Sequence, residues 1–428
     1  MAREVTVTIE SMAFRGYGVT RVNDKVIFIP YTVTGDKGEV EIVEEKKNYS
    51  FGRLSRIIEP SPWRRKPFCP YFGVCGGCQW QHIDYSMHGE LREQILSEIL
   101  KRLGGLKEIP SIVMSPSARP YGYRVRVQLR TKGETLGYYR ERSHNIVDID
   151  HCPIAHPLIN QLIHFLRQDL ARFSQMEEIE INVSPEEGKG VLILHPPSLL
   201  QGNKDFLKEF LETHPVTKGI AILRKERMEF LGDPSLTFPI LLDQPGKKRT
   251  LRFRASPESF FQVNPDQNQR LIQTVLEFSE VKKDDLVLDL YAGIGNFTLP
   301  LAFEAARGIG IEENQAAVQD AHLNRETNGI KGCEFIVGRV EKILENWGRG
   351  KPDLVVLDPP RAGCKAILDQ IVRLKPSRII YVSCDPATFA RDIRSLSETG
   401  YPLQRLAVID MFPQSYHMEV VGLLKPPC

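Results

Sequence analysis

The chain has 428 residues, of which 42% are hydrophobic and 26% are charged, and its formal net charge at pH 7 is +2. This composition is ordinary for a globular protein of two or three domains. No apolar run approaches the ~18 residues that a membrane-spanning helix needs, and residues 1–5 show no signal-peptide pattern. We therefore expect a cytosolic protein without a membrane partner, in which any nucleic-acid surface is a local basic patch. Candidate patches are Arg64-Arg65-Lys66, Lys247-Lys248-Arg249 and the pair Arg252 and Arg254.

Residues 1–60 alternate apolar and polar side chains in short runs, which the turn Thr34-Gly35-Asp36 interrupts. The apolar positions include Val5, Val7, Ile9, Val26, Phe28, Val40 and Ile42. Because alternation with a period of two is typical of half-buried strands, this part predicts a small β-barrel. The proline-rich residues 60–63 predict a linker.

Residues 61–254 predict a central α+β domain. A helical pattern at residues 84–103 places Leu91, Ile95, Ile99 and Leu103 on one face before two glycines end it. Further helices are predicted near residues 158–173 and 204–213, and strands at 123–129, 179–183, 191–195 and 220–223.

Residues 255–428 alternate strands with helices. The predicted strands are residues 286–290, 308–311, 334–337, 354–357, 378–382, 406–412 and 419–424. Continuous apolar strands with helical connections predict a parallel, doubly wound, Rossmann-like α/β sheet. The last two strands are joined by a loop too short for a crossover helix, so they predict an antiparallel hairpin at the edge of the sheet.

Glycines follow the first of these strands, where a Rossmann-like sheet binds its nucleotide. The turn Asp289-Leu290-Tyr291-Ala292-Gly293-Ile294-Gly295-Asn296-Phe297 lets backbone approach a ligand closely. Thr298 replaces the third glycine of the dinucleotide fingerprint, and Glu312 ends the next strand, where a carboxylate can bind both ribose hydroxyls. This combination fits S-adenosylmethionine better than a dinucleotide.

Polar side chains also follow or begin three later strands. Asp358 opens the turn Asp358-Pro359-Pro360-Arg361, where it either contacts a ligand in the crevice or caps the next helix. Cys384 stands just after residues 378–382, and Glu419 begins the final strand. A thiol and a carboxylate are therefore expected at one end of the sheet.

A thiol and a carboxylate in one pocket suit the methylation of carbon 5 of uracil, which is a poor nucleophile. A thiolate that adds to carbon 6 makes an enolate whose carbon 5 can take a methyl group, and a base then removes the carbon 5 proton so that the thiol leaves. Cys384 and Glu419 are the candidate nucleophile and base. Cys364, just after the Asp-Pro-Pro-Arg turn, is a rival nucleophile, and spacing alone does not choose between the two cysteines.

Five motifs in the last 170 residues together resemble the RNA 5-methyluridine methyltransferases, which modify carbon 5 of uracil in transfer or 23S ribosomal RNA. The motifs are Phe260-Phe261-Gln262-Val263-Asn264, residues 289–298, Asp358-Pro359-Pro360-Arg361-Ala362-Gly363, Ser383-Cys384-Asp385-Pro386 and residues 413–419. The last motif has Ser415 where the family usually has threonine, which keeps the hydroxyl.

The resemblance assigns roles to individual residues. It implies that Cys384 is the nucleophile, in preference to Cys364, and that Glu419 is the base. S-adenosylmethionine is the implied methyl donor, and its implied contacts are Gln262, Tyr291, Asn296, Glu312 and Asp358. A further family contact lies near Arg339, where an acidic or amide side chain is expected and arginine departs from the pattern.

The N-terminal barrel resembles a TRAM domain, an OB-like module that binds RNA through basic and aromatic side chains. Arg15, Tyr17 and Lys47 are candidate contacts, and the stretch Tyr123-Arg124-Val125-Arg126 resembles a family segment near the substrate. A uracil in folded RNA must be extruded before attack. The barrel and the cysteine pattern together favour 23S ribosomal RNA as the partner, with transfer RNA as the alternative. We expect the protein to be a monomer.

Four of the eight cysteines form a candidate metal site. Cys69, Cys75 and Cys78 are closely spaced, and Cys152 follows after a long gap and precedes a proline. Four thiolates suit a 4Fe–4S cluster and equally a structural zinc ion. The family resemblance implies the 4Fe–4S cluster, in a structural role because no step of the methylation needs an electron.

Two other classes of protein are alternatives. A radical S-adenosylmethionine enzyme can also combine a TRAM-like module with an iron–sulfur cluster, but it needs Cys-x3-Cys-x2-Cys, whereas the first gap here is five residues. A non-catalytic RNA-binding protein with the same fold is the other alternative, and against it stands the presence of every residue that the chemistry requires.

Overall fold

The structure, a computed structural model, describes residues 4–196, 205–224, 227–244 and 247–427, with the backbone alone at 227, 243, 244 and 247. Cys428, the side chain of Lys247 and the first residue of the helix predicted at 204–213 therefore lie outside the described residues. Within the described ranges, no helix is both long and apolar enough to cross a membrane.

The N-terminal part is a six-stranded sheet that curls on itself. Its strands are β1 Glu4–Thr8, β2 Ser11–Ala13, β3 Tyr17–Val22, β4 Lys25–Pro30, β5 Lys37–Glu45 and β6 Tyr49–Glu59, in the spatial order β1-β5-β6-β4-β3-β2. The amide of Glu10, just after β1, donates to the carbonyl of Val19 in β3 (2.8 Å), so the chain after β1 contacts the opposite side of the sheet. The interior is filled by Val7, Ile9, Ile27, Ile29 and Val40. The predicted alternation marks the buried face in β1 and β5, but in β4 the buried residues are Ile27 and Ile29 rather than Val26 and Phe28.

The proline-rich residues 60–63, predicted to be a linker, are tied to this barrel. Ser61 is buried, and its amide donates to the Asp36 carboxylate (3.0 Å). The Arg64 guanidinium forms an ion pair with the same carboxylate (2.6 Å). Because Arg64 is occupied by a buried acidic partner, it does not belong to an exposed basic patch as predicted.

The central part contains the predicted mixture of helices and strands. Its elements are a 3-10 turn Tyr85–Met87, α1 His88–Arg102, β7 Ile112–Ser115, β8 Arg126–Lys132, β9 Thr135–Tyr139, β10 Ile146–Asp148, α2 Pro157–Gln168, α3 Leu170–Phe173, β11 Glu178–Ser184, β12 Lys189–His195, α4 Asp205–Thr213, β13 Thr217–Arg224, β14 Arg227–Gly232, β15 Leu236–Gln244 and β16 Lys247–Ala255. Seven of the strands form a mixed sheet in the order β10-β9-β8-β11-β12-β13-β14, while β15 and β16 form a hairpin.

The C-terminal part is the predicted doubly wound α/β domain. Its elements are α5 Pro265–Ser279, β17 Leu286–Leu290, α6 Thr298–Ala302, β18 Arg307–Glu312, α7 Gln315–Thr327, β19 Cys333–Val337, α8 Val340–Glu345, β20 Leu354–Leu357, a 3-10 turn Lys365–Ile367, α9 Leu368–Leu374, β21 Arg378–Ser383, α10 Pro386–Glu398, β22 Leu403–Ile409 and β23 Glu419–Leu424. The strand order is β19-β18-β17-β20-β21-β23-β22-β7, and the first five strands are parallel. The predicted antiparallel hairpin is β22 with β23, and β23 also pairs with β21.

The edge of this sheet is β7 rather than the predicted hairpin. Strand β7 comes from the central part of the chain and pairs in parallel with β22. Helix α1, which precedes β7, packs against α10 and buries Leu91, Ile95 and Leu100. Leu103, predicted on the buried face, is 50% exposed because the helix has already ended. An early segment of the chain therefore completes the C-terminal domain.

Candidate active site

A cavity of about 1330 Å³ lies where the carboxyl ends of the parallel strands face the central sheet. Ten of the eleven predicted site residues line it. They are Cys69, Cys75, Cys78, Cys152, Gln262, Tyr291, Glu312, Asp358, Cys384 and Glu419. The candidate nucleophile, base, donor contacts and clustered cysteines therefore share one space.

Cys384 directly follows β21, where the chain turns into α10. Ser383, the last residue of β21, pairs with Val420 of the antiparallel strand β23, so Cys384 comes opposite Glu419 at the start of that strand. Asp385 then caps α10 by accepting hydrogen bonds from two amides of its first turn, each 2.9 Å long. The register of two buried strands thus brings the predicted thiol and carboxylate together.

The environment of Cys384 controls how readily its thiol ionises. Burial, and after it the charges of Glu419 and Asp358, raises the pKa of this thiol to about 11. The Arg361 guanidinium acts in the opposite direction, through its positive charge and a hydrogen bond to the thiol. Since the thiolate is the attacking species, Arg361 favours the reactive form of Cys384.

Glu419 is a buried carboxyl, with 3% of its surface exposed. Burial, followed by the charge of Asp358, raises the pKa of Glu419 well above its usual value, and Arg361 counteracts part of this rise. A carboxylate whose pKa is raised is a stronger base once it is ionised. The environment therefore suits Glu419 for removing a proton from carbon.

Two carboxyls with raised pKa values lie at the ends of neighbouring strands. Burial raises the pKa of Asp289 to about 7, although Thr298 donates a hydrogen bond to it (2.5 Å). Burial and the charge of Asp289 raise the pKa of Asp358 to about 7. Because two such carboxyls do not both ionise cheaply, Asp358 can hold a proton near neutral pH and donate it in a hydrogen bond to a ligand.

The predicted donor side of the cavity is formed by the turn after β17 and the end of β18. Tyr291 has a φ of 67°, a left-handed conformation that costs energy for a tyrosine. The Glu312 carboxylate accepts hydrogen bonds from the amides of Gly293 (3.1 Å) and Asn314 (2.8 Å). Gly295 has a φ of 90°, and a β-carbon there would lie 3.0 Å from two side chains. Backbone geometry therefore fixes this rim of the cavity.

Two residues that the family resemblance places near the methyl donor do not line the cavity. Asn296, a predicted donor contact, exchanges two hydrogen bonds of 3.0 Å with the amide of Asn268. Arg339 precedes α8, is largely exposed and pairs with Glu341 (3.6 Å). Four of the five predicted donor contacts thus line the cavity, whereas Asn296 and Arg339 do not.

The rival nucleophile Cys364 is 2% exposed and is not among the residues that line the cavity. Its amide donates to Asp392 (2.9 Å), and the Tyr381 hydroxyl donates to the same carboxylate (2.7 Å). Burial raises the pKa of the Cys364 thiol to about 12. Of the two cysteines, Cys384 is therefore the one that a substrate in the cavity can reach.

The four clustered cysteines line the same cavity. Burial, together with the charges of the neighbouring cysteines, raises the pKa of Cys75 to about 11 and that of Cys78 to about 12. Residue 75 forms a β-bridge with Arg140, and the Cys152 amide donates to Asn160 (2.8 Å). In the described part of the chain, no group of three or more His, Cys, Asp or Glu side chains is gathered tightly enough to hold a metal ion as it stands. Four soft donors that face one space still suit a 4Fe–4S cluster or a zinc ion chemically.

The loop between β9 and β10 also lines the cavity. No pattern in the sequence indicates this role, because charged hairpin loops are ordinary surface features. Its Glu141 accepts a hydrogen bond from Tyr31 of the barrel (2.8 Å). The Arg142 guanidinium lies 5.7 Å from the ring of Tyr17, a predicted RNA contact that is 8% exposed. This loop fastens the barrel to the cavity wall, and it covers Tyr17.

A Rossmann-like sheet that holds a thiol, a buried carboxyl and a glycine turn at one edge defines a group-transfer enzyme of the methyltransferase class. A family model described as tRNA (uracil-5-)-methyltransferase matches residues 242–426. A second model, for the TRAM domain of tRNA (uracil(54)-C(5))-methyltransferase, matches residues 5–63.

Full-length relatives extend these matches. The chain is 35% identical to an uncharacterized RNA methyltransferase of Aquifex aeolicus, over 99% of both chains. It is 33% identical to the 23S rRNA (uracil(1939)-C(5))-methyltransferase RlmD of Klebsiella pneumoniae, over 98% of this chain and 95% of that protein. The chain therefore belongs to the RNA (uracil-5-)-methyltransferase family, as its motifs predicted.

A solved structure has the same fold. It is that of Pyrococcus abyssi tRNA (uracil-54, C5)-methyltransferase in complex with S-adenosyl-L-homocysteine, which is 24% identical, with a TM-score of 0.76 over 98% of this chain and 100% of that one. The predicted arrangement of a TRAM domain before an α/β methyltransferase domain is confirmed. Family membership favours the methyltransferase hypothesis over the radical-enzyme and non-catalytic alternatives.

Proposed function

We propose that this enzyme transfers the methyl group of S-adenosylmethionine to carbon 5 of a uridine in 23S ribosomal RNA. The observation that carries the proposal is the pairing of β21 with β23, which sets Cys384 opposite the buried Glu419 in a cavity that the donor-side residues also line. The relative from Klebsiella pneumoniae, named for uracil 1939 of 23S rRNA, supports the ribosomal target. Transfer RNA is the second candidate, because the structural neighbour with a TM-score of 0.76 is named for uracil 54 of tRNA.

In the proposed reaction, the Cys384 thiolate adds to carbon 6 of uracil and the electrons of the ring double bond form an enolate. Carbon 5 of the enolate attacks the methyl group, and the electron pair of the methyl–sulfur bond stays on the donor, which becomes S-adenosylhomocysteine. Carbon 5 then carries both the methyl group and a proton. The Glu419 carboxylate removes this proton, the carbon 6–sulfur bond breaks, and the thiolate leaves as the ring double bond returns.

The remaining residues hold the reactants. Gln262, Tyr291, Glu312 and Asp358 line the donor side of the cavity, where we propose that they contact S-adenosylmethionine. Asn296, the fifth predicted contact, would have to release its hydrogen bonds to Asn268 to reach the donor.

The RNA target is tested with unmodified 23S and transfer RNA transcripts, each incubated with the purified protein and the donor. Mass-spectrometric mapping should find 5-methyluridine in the 23S transcript. Methylation of transfer RNA alone would reassign the target to the second candidate, and the absence of 5-methyluridine from both transcripts would contradict the proposed function.

The pH dependence of adduct formation should reveal the influence of Arg361. Because burial raises the pKa of Cys384 to about 11, the thiolate fraction and the rate should both rise from pH 7 to pH 10. Arg361→Ala removes the cation that lowers this pKa, and each unit of further rise reduces the thiolate fraction about tenfold below the pKa. We expect a slower rate at pH 7.5 and a profile displaced to higher pH, measured in a single turnover.

Arg361→Lys is the matched control for this experiment. It keeps the positive charge and loses the planar donor group, so its profile should lie between those of the parent protein and Arg361→Ala. A profile that is the same in all three proteins would show that Arg361 does not influence the thiol.

We also propose that Cys69, Cys75, Cys78 and Cys152 hold a 4Fe–4S cluster. The support is the donor set, four thiols that line one cavity and act on one another through their charges. A bound cluster would supply four iron–sulfur bonds that tie residues 69–78 to residue 152 of the central part, and the methylation steps do not pass through it.

The cluster proposal predicts a composition that can be measured directly. Protein purified without oxygen should contain about four iron atoms and about four inorganic sulfides per chain, with the visible absorption of such a cluster. Cys78→Ser should lose this iron, whereas Cys333→Ser, which changes a buried cysteine of β19, should keep it. One zinc ion per chain in place of iron would contradict the proposal.

A further inference from the structure

The loop that leads to Glu419 is held at both ends by one buried arginine. Residues 410–418 connect β22 to β23, and Ile409 and Glu419 are paired where the two strands meet the loop. Arg92 of α1 and Asp410 at the start of the loop form an ion pair of 2.9 Å, and their side chains are 1% and 3% exposed. The same guanidinium donates to the carbonyls of Ser415 (3.0 Å) and His417 (3.3 Å).

Other early segments of the chain also bind this loop. The Tyr85 hydroxyl donates to the second oxygen of Asp410 (2.7 Å), and the buried Tyr123 hydroxyl donates to the Pro413 carbonyl (3.0 Å). The amides of residues 79 and 80 both donate to the Gln414 carbonyl, at 3.2 Å and 3.0 Å. Segments from the first third of the chain thus determine the shape of a loop near its end.

Arg92 differs from these other contacts because it joins three points of the loop. It binds the first residue of the loop and also the carbonyl of residue 417, two residues before the proposed base. A shift of the loop relative to β22 would break the ion pair or a carbonyl contact. Glu419 directly follows the loop, so the position of its carboxyl group depends on these contacts.

We propose that Arg92 is a positioning residue that fixes the orientation of Glu419 for removal of the carbon 5 proton. The inference rests on the proposed function, since it concerns the base of that reaction. Cys384 is held separately, by the end of β21 and by the Asp385 cap of α10. Loss of Arg92 should therefore slow the step that uses Glu419 more than the step that uses Cys384.

Arg92→Met tests this proposal, because methionine fills much of the same volume without a charge or a hydrogen-bond donor. Misplacement of a catalytic group by about 1 Å can cost on the order of 10²-fold in rate. We expect release of methylated RNA to slow by about 10- to 100-fold, so that the covalent protein–RNA adduct accumulates on denaturing gels. Adduct formation in a single turnover should stay within about twofold, a split that a loss of folded protein would not produce.

Two further variants keep the test decisive. Tyr85→Phe removes the hydrogen bond to Asp410 together with the contacts of the Tyr85 hydroxyl to Ser117. It should shift the same ratio of release to adduct formation in the same direction by a smaller factor, even if Arg92→Met fails to fold. Arg102→Met changes an exposed arginine at the end of the same helix, which pairs with Glu98, and should leave both rates unchanged.

The measurements distinguish a failure of the positioning role of Arg92 from a failure of the proposed function. Equal loss of adduct formation and release in Arg92→Met and Tyr85→Phe, or no loss in either, would overturn the positioning role of Arg92 while the parent protein still methylates RNA. A parent protein that forms neither 5-methyluridine nor an adduct would instead overturn the proposed function.

Discussion

Cys384→Ala is expected to abolish both the methylation of RNA and the covalent adduct. Alanine cannot add to carbon 6, and carbon 5 of an unmodified uracil is too weak a nucleophile to take the methyl group. The expected loss is on the order of 10⁴-fold or more, since loss of a catalytic nucleophile costs that much or more in other enzymes. Transfer of a labelled methyl group from S-adenosylmethionine to RNA measures it.

Cys364→Ala is the matched control for this variant. Both changes remove one thiol, but Cys364 is buried and does not line the cavity, and its thiol forms hydrogen bonds with Tyr381 and Asp392. We expect near-normal methylation and a small loss of stability, of about 1 kcal/mol, the typical scale for a buried truncation of this size. Normal turnover in Cys384→Ala together with inactivity in Cys364→Ala would reverse the assignment of the nucleophile.

Glu419→Gln is expected to stall the reaction after methyl transfer. Glutamine has nearly the same shape but does not accept the carbon 5 proton, and the loss of a general base typically costs ~10²–10⁴-fold in rate. Cys384 still attacks, and because the neighbouring carboxylate no longer raises the pKa of the Cys384 thiol, the attack should not slow. The methylated RNA should remain bonded to the protein and run as a shifted band on denaturing gels.

The shifted band distinguishes a missing base from a damaged site. The double variant Cys384→Ala/Glu419→Gln should show no band, because it lacks the sulfur that forms the bond. A Glu419→Gln protein that releases 5-methyluridine at the normal rate would exclude Glu419 as the base and direct attention to Asp358, whose pKa is raised to about 7 in the same cavity.

The strands that build the active site could be predicted because each is buried on both faces. β17, β20 and β21 are nearly continuous apolar runs, which is the pattern of a parallel sheet covered by helices. In such a sheet the strand ends meet at one edge, so the polar residues after them, including Cys384 and Asp358, could be expected in one crevice.

Contacts between distant segments could not be predicted in the same way. β7 has four residues, Ile112–Ser115, and its place beside β22 depends on the docking of α1 rather than on its own pattern. Arg92 lies on the apolar face of α1 with Leu91 and Ile95, and nothing in the sequence indicates the distant Asp410 that neutralises its buried charge. The pairing of Asn296 with Asn268 likewise depends on the packing of α5 against the glycine turn.

The covalent bond between Cys384 and uracil can be tested directly with an RNA fragment that carries 5-fluorouridine at the methylated position. Fluorine at carbon 5 cannot leave as a proton does, so the reaction should stop after methyl transfer with the base bonded to the enzyme. Digestion and tandem mass spectrometry should then find the methylated fluorouracil on the peptide that contains Cys384. A fluorouracil bonded to another residue, or methyl transfer to normal RNA without any trapped adduct on the fluorinated RNA, would contradict the mechanism.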